Sequence, residues 1–158
     1  VPFLRAWPGH VKPGTAYSKP VSLMDILPTA VAAAGGTLPA DRPFDGVDLM
    51  PYVDGRNNGE PHAFLAWRSE PLVAIRHGDW KLWETQGSDT GEYGHYKLLF
   101  NLHEDLNESK DLEDANPEEV DALEQLIRRW EEPMVKPLWP TKRAATVTID
   151  GKTFKLPV

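Results

Sequence analysis

Apolar residues recur at helical spacing late in the chain and predict its clearest element, a helix over residues 116–132. Asn116 can cap this helix, Pro117 suits its first position, and Glu119 completes a capping box. Pro133 ends the helix, because proline has no amide hydrogen to continue it. The apolar residues form one face that we expect to pack on a sheet: Val120, Leu123, Leu126, Ile127 and Trp130.

Alternating apolar and polar positions upstream of this helix predict strands of an antiparallel sheet. Short turns such as residues 77–79 favour hairpins between neighbouring strands, and Asp150-Gly151 predicts a further hairpin in the tail. The pattern therefore predicts an α+β fold, in which an antiparallel sheet of about four strands packs against a C-terminal helix. The candidate strands are residues 62–67, 72–76, 80–84 and 96–101.

The beginning of the chain contains a predicted strand over residues 1–6 and a predicted helix over residues 22–34. Ser22 and Asp25 form a capping-box pattern, and Pro28 should kink the helix or split it in two. Its apolar residues form one face, whose burial would have to come from outside residues 1–36: Leu23, Ile26, Leu27, Ala30, Val31 and Ala34. One strand and one helix have too little surface to fold alone, so they look like the remnant of a larger α/β domain.

The sequence thus predicts four parts. They are the end of an incomplete α/β domain over residues 1–36, a connector over 37–61, a sheet-plus-helix subdomain over 62–140 and a tail hairpin over 141–158. The connector is rich in Pro, Gly, Asp and Asn, which favour turns and loops. The total of 158 residues suits one domain or pieces of two.

Composition narrows the range of partners. The chain has 17 Lys and Arg residues and 24 Asp and Glu residues, which give a net charge of -7. This acidic balance argues against nucleic acid as a partner, because binding to phosphates requires a basic surface. No apolar run approaches the roughly 20 residues that span a membrane, so we expect neither nucleic acid nor membrane as a partner. The chain has no cysteine and its five histidines show no metal-binding spacing, so we predict no metal site.

Six segments follow one another in a set order: Val1–Gly14, Ser22–Thr29, Ala34-Gly35, Asp45–Leu49, Ala74–Leu82 and Leu99–Leu102. Taken together, they resemble the C-terminal third of the sulfatases, which belong to the alkaline-phosphatase-like superfamily. No single segment is diagnostic, but the ordered set is specific and covers most of residues 1–140. The resemblance implies that the parent enzyme is a sulfuric ester hydrolase of the arylsulfatase family.

The same resemblance implies that catalytic groups lie outside this chain. Sulfatases use a formylglycine made within a Cys/Ser-x-Pro-x-Arg motif, together with calcium, and both belong to regions upstream of the resembling segments. Ser18–Ser22 and Ser69–Val73 come closest to the motif, but neither has the required arginine. We therefore predict no catalytic residue, no metal ligand and no cofactor in this chain, calcium and formylglycine in the parent, and an inactive isolated chain.

Four residues are candidates for substrate binding under this resemblance. Trp67 can stack on a sugar ring, and Arg68 can pair with a sulfate or carboxylate, in a strand end that would face the cleft. Alternatively, Trp67 packs under the helix and Arg68 is solvated. Arg76 and His77, at a hairpin turn, are weaker candidates for the same role in substrate binding.

The resemblance also implies partners and a location. The partners would be the missing N-terminal catalytic portion and, in the parent, a sulfated substrate such as a carbohydrate, with a periplasmic or secreted location. If the N-terminal portion is absent, residues 1–36 should self-associate or be disordered, because an apolar edge strand pairs readily with other chains. Two alternatives are a stand-alone carbohydrate-binding module and the tail of a related phosphoryl or phosphonate hydrolase.

Overall fold

A computed structural model describes residues 4–86, 94–136, 138 and 144–157. The chain divides into two compact units, Val1–Ala63 and Phe64–Val158. In the first unit, a 3₁₀ turn at Leu23–Asp25 precedes the helices α1 (Ile26–Ala33) and α2 (Met50–Val53). The second unit contains β1 (Leu65–Ser69), β2 (Leu72–His77), β3 (Trp80–Gln86), β4 (His95–Asn101), α3 (Pro117–Glu131), β5 (Ala144–Ile149) and β6 (Lys152–Pro157).

The second unit is built on a four-stranded antiparallel sheet in the order β1-β2-β3-β4. The predicted α+β class and its four strands are confirmed, although the strand ends shift, so that β1 begins at residue 65 rather than 62. Each strand joins the next one along the chain. The sheet is therefore a simple meander, which the alternating pattern and the short turns favour.

Helix α3 covers one face of this sheet. Leu123 is fully buried and Ile127 nearly so, and both pack on Ile75 and Leu82 from the central strands. Leu126 and Trp130 lie at the margin of the same cluster. The predicted apolar face of the helix is therefore confirmed, and its members contact alternate residues of β2, β3 and β4.

The predicted start of α3 is correct, but the predicted capping box is wrong. Pro117 lies in the first turn of α3. Amide hydrogens in this turn have no carbonyl partner within the helix, so the lack of one in proline breaks no hydrogen bond. Asn116 makes no side-chain cap; its amide instead donates to the carbonyl of Leu112 at 3.2 Å. The Asn116 side chain therefore closes the preceding turn at residues 112–116 and does not cap the helix.

On the opposite face of the sheet, the hairpin of β5 and β6 covers the β4 side. Phe154 and Leu156 from this hairpin pack on Leu98 and Phe100 of β4. The predicted Asp-Gly turn is confirmed, since Asp150 and Gly151 have φ angles of 50° and 73°. The unit thus has three layers, helix, sheet and hairpin, and the tail belongs to its core.

The predicted capping box of the first unit is confirmed. The Ser22 hydroxyl accepts from the amide of Met24, and the Asp25 carboxylate accepts from the amide of Ser22 at 2.7 Å. The predicted helix is divided into two parts, the 3₁₀ turn and α1. The division lies between Asp25 and Ile26, before Pro28 and not at it. Pro28 is the third residue of α1, and the first four amides of a helix need no intrahelical acceptor.

A buried carboxylate joins three segments of the first unit. Asp25 is fully buried, and besides Ser22 it accepts from the amide of Val47 and contacts Nε2 of His62, each at 2.9 Å. Thr29, one turn further along, accepts from the amide of Leu49 at 2.9 Å. These bonds tie the start of α1 to residues 47–49 and to the end of the unit.

Close backbone packing supports this arrangement. A Cβ atom on Gly46 would lie 2.0 Å from the carbonyl oxygen of Met24, and real Cβ atoms never approach backbone so closely. Only glycine therefore lets residues 46–47 approach the 3₁₀ turn closely enough for Asp25 to reach the amide of Val47.

One expectation for the first unit is wrong. Residues 4–6 form no strand, and Leu4 is 94% exposed; residues 1–3 of the predicted strand lie outside the described residues. The apolar face of the helix has no cover among the described residues of this unit, since Leu23 is 70% exposed and Leu27 is 55% exposed. The helix buries its polar side instead, because Asp25 and Thr29 bind the backbone of residues 47–49.

We predict that Leu123→Ala and Ile127→Ala each lower the free energy of unfolding by roughly 2–5 kcal/mol, because each leaves a cavity in a fully packed cluster. Chemical denaturation measures this change. Gln125→Ala, on the exposed side of α3, is the matched control and should change stability by less than about 0.5 kcal/mol. Losses below about 1 kcal/mol for both core variants would contradict the packing described.

We predict that Asp25→Ala destabilises the first unit by about 3 kcal/mol or more, because two backbone amides and the imidazole of His62 lose their acceptor. Amide exchange at Val47 measures the effect within the unit itself. The matched control is Asp45→Ala, an exposed carboxylate in the same segment. Equal exchange rates at Val47 in the two variants would show that the buried carboxylate contributes nothing.

Candidate functional site

The structure places the two main candidates for substrate binding, Trp67 and Arg68, on opposite faces of the sheet, because they are neighbours on β1. Trp67 is 51% exposed and lies on the face away from α3, so it does not pack under the helix. Arg68 lies on the helix side, where Nη2 donates to the carbonyl of Val135 at 2.9 Å and Nη1 is 3.6 Å from Glu131. One ligand group cannot contact both side chains from the same side of the sheet.

Arg76 and His77 are separated in the same way at the end of β2. Arg76 lies on the same face of the sheet as Trp67. The partner of Trp67 on β2 is Ala74, and Arg76, the partner of Leu65, comes two residues after Ala74 on the same strand. Its Nε donates to the carbonyl of Gly78 at 3.0 Å, which anchors the guanidinium beside the turn. His77 is exposed on the other face. The structure therefore places Trp67 and Arg76 on one face of the sheet, and the substrate-binding role of all four residues stays a prediction.

The face that carries Trp67 and Arg76 continues onto β3. Trp83 lies opposite Ala74, and Lys81 lies opposite Arg76. The ammonium of Lys81 is 5.0 Å from the centre of the Trp83 ring and 2.5 Å from Glu108. Two tryptophans, Trp67 and Trp83, thus lie on one face with Ala74 between them, beside the two cations Arg76 and Lys81.

The second unit also contains a cavity of about 270 Å³, which the sequence did not predict. Its walls come from β3, β4, the loop before α3 and β6, segments that are far apart in sequence. No short motif could have revealed it, because the side chains converge only after the hairpin folds onto the sheet. The lining residues are Glu84, Thr85, His95, Tyr96, Lys97, Asp111, Glu113, Lys152 and Phe154.

The charged groups of this cavity perturb one another. Burial, followed by the charge of Glu124, raises the pKa of Glu84 above its ordinary value. Burial and the neighbouring Asp111 likewise raise the pKa of Glu113. The hydrogen bond to Glu124 raises the pKa of Lys97. The cavity therefore combines carboxyl groups that hold protons more readily than in water with a fixed ammonium group.

The sequence did not predict the Asp25–His62 pair, because the two residues are 37 positions apart and share no motif. A carboxylate beside an imidazole can serve acid–base catalysis when a nucleophile lies at the other ring nitrogen. The nearby hydroxyl of Ser22 instead accepts from the amide of Met24. Both Asp25 oxygens are also held by backbone amides, so the pair positions the chain.

The described residues do not fit a metal site. Within residues 4–86, 94–136 and 144–157, no group of three or more His, Asp or Glu side chains is arranged to hold a metal ion. The calcium that the resemblance implies for a parent enzyme has no ligand set in this part of the chain. No helix among the described residues is both long enough and apolar enough to cross a membrane.

Comparison with known proteins identifies relatives, although no family model matches the chain. Arylsulfatase G of Rattus norvegicus is 32% identical over 142 residues, which are 81% of this chain and 27% of that protein. Steryl-sulfatase of Mus musculus is 46% identical over 86 residues, which are 53% of this chain and 14% of that protein. The chain thus spans about a quarter, or less, of the length of these relatives.

A solved structure gives the same result for the fold. The crystal structure of Ps i-CgsB in complex with k-i-k-neocarrahexaose matches with a TM-score of 0.67 and 26% identity, covering 85% of this chain and 29% of that one. Both compact units contribute to a match of this extent, since neither alone makes up 85% of the chain. The chain therefore belongs to the sulfatase family and corresponds to the C-terminal portion of those proteins.

Proposed function

We propose that this chain is a non-catalytic portion of a sulfate-ester hydrolase, which completes the fold of the enzyme and shapes its substrate choice. The observation that carries the proposal is similarity to an arylsulfatase over 81% of the chain, while the chain spans 27% of that relative. The remaining length of such an enzyme is ample for the catalytic centre.

The chemistry would come from groups outside the described residues. In a sulfatase the formylglycine supplies the nucleophile and calcium stabilises the sulfate charge. This chain has no cysteine, and neither Ser18–Ser22 nor Ser69–Val73 has the arginine that the motif requires. The contribution of this chain is therefore structural: a three-layer unit and a helix with an uncovered apolar face.

We assign that apolar face to the interface with the catalytic portion of the same polypeptide. Leu23, Ile26 and Leu27 are 70%, 46% and 55% exposed, although side chains of this type are usually buried. Ile26 and Ala30 also line an apolar cavity of about 170 Å³. Covering such residues stabilises a protein by about 1.5–3 kcal/mol for each side chain that becomes fully buried.

A stand-alone carbohydrate-binding module is the second candidate, and the half-exposed Trp67 on the sheet favours it. The exposed apolar side of α1 favours the first candidate, because an independent module gains nothing from three uncovered aliphatic side chains. By family resemblance we place the enzyme in the periplasm, outside the cell or in the lumen of a compartment.

We predict that the purified 158-residue chain does not hydrolyse sulfate esters, because it lacks a formylglycine motif. Release of the phenol from an aryl sulfate, with calcium present, measures the activity. The rate should equal that of a heat-denatured control. Turnover above that control would show that the chain contains its own catalytic centre and would overturn the proposal.

We predict that the isolated chain self-associates through α1, because its apolar side chains then cover one another in place of the missing partner. Sedimentation velocity over a range of concentrations should show association of the wild-type chain and a monomer for the double variant Leu23→Glu/Leu27→Glu.

The matched control is Ala32→Glu, an exposed residue on a different side of the same helix, which should associate like the wild type. A wild-type chain that is monomeric at every concentration, with slow amide exchange throughout residues 22–33, would contradict an uncovered interface. It would favour the stand-alone module instead.

A further inference from the structure

An exposed loop of the first unit contains the one Asn-Gly pair of the sequence, Asn58-Gly59. The loop joins α2 to His62, which contacts the buried Asp25, and residues 57–60 are all exposed. Glycine has no Cβ, so its amide nitrogen is open to close approach and its backbone adopts conformations that other residues avoid. The pair therefore places an unhindered backbone amide directly after a side-chain carboxamide.

The other asparagines of the chain lack this combination. A side chain on the following residue hinders the approach of its amide nitrogen to the asparagine Cγ, and a following proline has no amide hydrogen to lose. Asn57, Asn101, Asn107 and Asn116 are followed by Asn58, Leu102, Glu108 and Pro117, respectively. Asn58 is thus the asparagine whose carboxamide the next amide reaches most easily.

Two neighbouring side chains hold the peptide group between Asn58 and Gly59. The Gly59 amide donates to Oδ1 of Asn57 at 2.8 Å, which closes an Asx turn. Nζ of Lys19 donates to the carbonyl oxygen of Asn58 at 2.7 Å and to that of Gly59 at 3.1 Å. The amide must lose its hydrogen and turn towards Cγ of Asn58 before its nitrogen can attack. Both contacts oppose this movement, because one holds the hydrogen and the other holds the carbonyl groups.

We propose that Asn58 is a site of spontaneous deamidation whose rate is controlled by Asn57 and Lys19. The Gly59 nitrogen loses its proton to water and forms a bond to Cγ of Asn58, while the bond between Cγ and Nδ2 breaks and ammonia leaves. The two reacting groups are neighbours in the chain, so the attack is intramolecular and yields a five-membered succinimide. Water then opens this ring. Attack at one carbonyl gives an aspartate, and attack at the other gives an isoaspartate, in which the main chain runs through the side-chain carbon.

The two products differ in their effect on the loop. Either one adds a carboxylate near the ammonium of Lys19, in a chain whose net charge is already -7. The isoaspartate also adds one carbon to the main chain between the two carbonyl groups that Lys19 binds. The aspartate therefore leaves the loop anchored to Lys19, and the isoaspartate releases it upstream of His62.

Incubation of the 158-residue chain in mildly alkaline buffer, followed by proteolysis and mass spectrometry of the peptide that contains residues 57–62, tests the proposal. The mass of this peptide should rise by the difference between a hydroxyl and an amino group. Asn58→Gln should make the change undetectable over the same period, because its ring would need six members. Asn57→Ala and Lys19→Met should each speed the reaction by about two- to tenfold, the effect of removing one hydrogen bond.

The matched controls are Asn107→Ala, a second exposed asparagine, and Lys12→Met, a second lysine of the first unit that is exposed. Both should react at Asn58 at the rate of the wild type. Gly59→Ala should slow the reaction, because the added Cβ would lie 3.1 Å from Oδ1 of Asn57 and crowd the attacking amide. Equal unfolding midpoints for all variants show that the fold is intact.

Two results would overturn the proposal. If residues 57–62 keep their mass while another asparagine of the folded chain is deamidated, Asn58 is not the modification site. An unchanged or lower rate in Asn57→Ala or in Lys19→Met would refute control by the contact that the variant removes. No sulfate ester takes part in the reaction, so either result leaves the proposed function untouched.

Discussion

Side chains on a β-strand alternate between two faces, and in the second unit both faces of the sheet are occupied. On β3, Leu82 packs under α3 while Trp83 lies beside the hairpin of β5 and β6. On β4, Leu99 and Leu98 divide in the same way. The alternation therefore builds two apolar clusters from one sheet, and a shift of one residue in register would exchange them. The same rule separates Trp67 from Arg68 and places Trp67 and Arg76 on one face.

The first unit is organised by polar contacts instead. Its buried residues include Asp25 and Thr29, which bind backbone amides at residues 47 and 49. Hydrogen bonds of this kind have strict geometry, so they fix the path of a segment with little regular structure. The cost is that α1 turns its aliphatic side outward, a state that suits a segment completed by another part of a larger protein.

Local patterns in the sequence were sufficient for much of this structure. The four strands, the α3 face, the Asp-Gly turn and the Ser22–Asp25 capping box all depend on neighbouring residues, and all are confirmed. Features that depend on distant segments were missed. The Asp25–His62 contact joins residues 37 positions apart, and the cavity beside Glu84 needs β6 to close it.

The exposed apolar side of α1 shows the same limit of local patterns. Periodicity shows that a helix has an apolar face, but it does not show whether that face has a partner in the same chain. Leu23 and Leu27 are spaced as core residues would be, and they are exposed. The strand predicted for residues 1–6 likewise needs a neighbour to pair with, and residues 4–6 have no strand partner within the described residues.

The position of the tail hairpin has a consequence for where this protein can be shortened. A truncation after α3 looks harmless from the order of elements, because it removes only the last two strands. Those strands contribute Ile149, Phe154 and Leu156, which keep water from Leu98 and Phe100. A proteolytic cut or a cloning boundary near residue 140 would therefore expose the apolar side chains that the hairpin covers on the sheet. We expect the product to aggregate, although its helix and four-stranded sheet are complete.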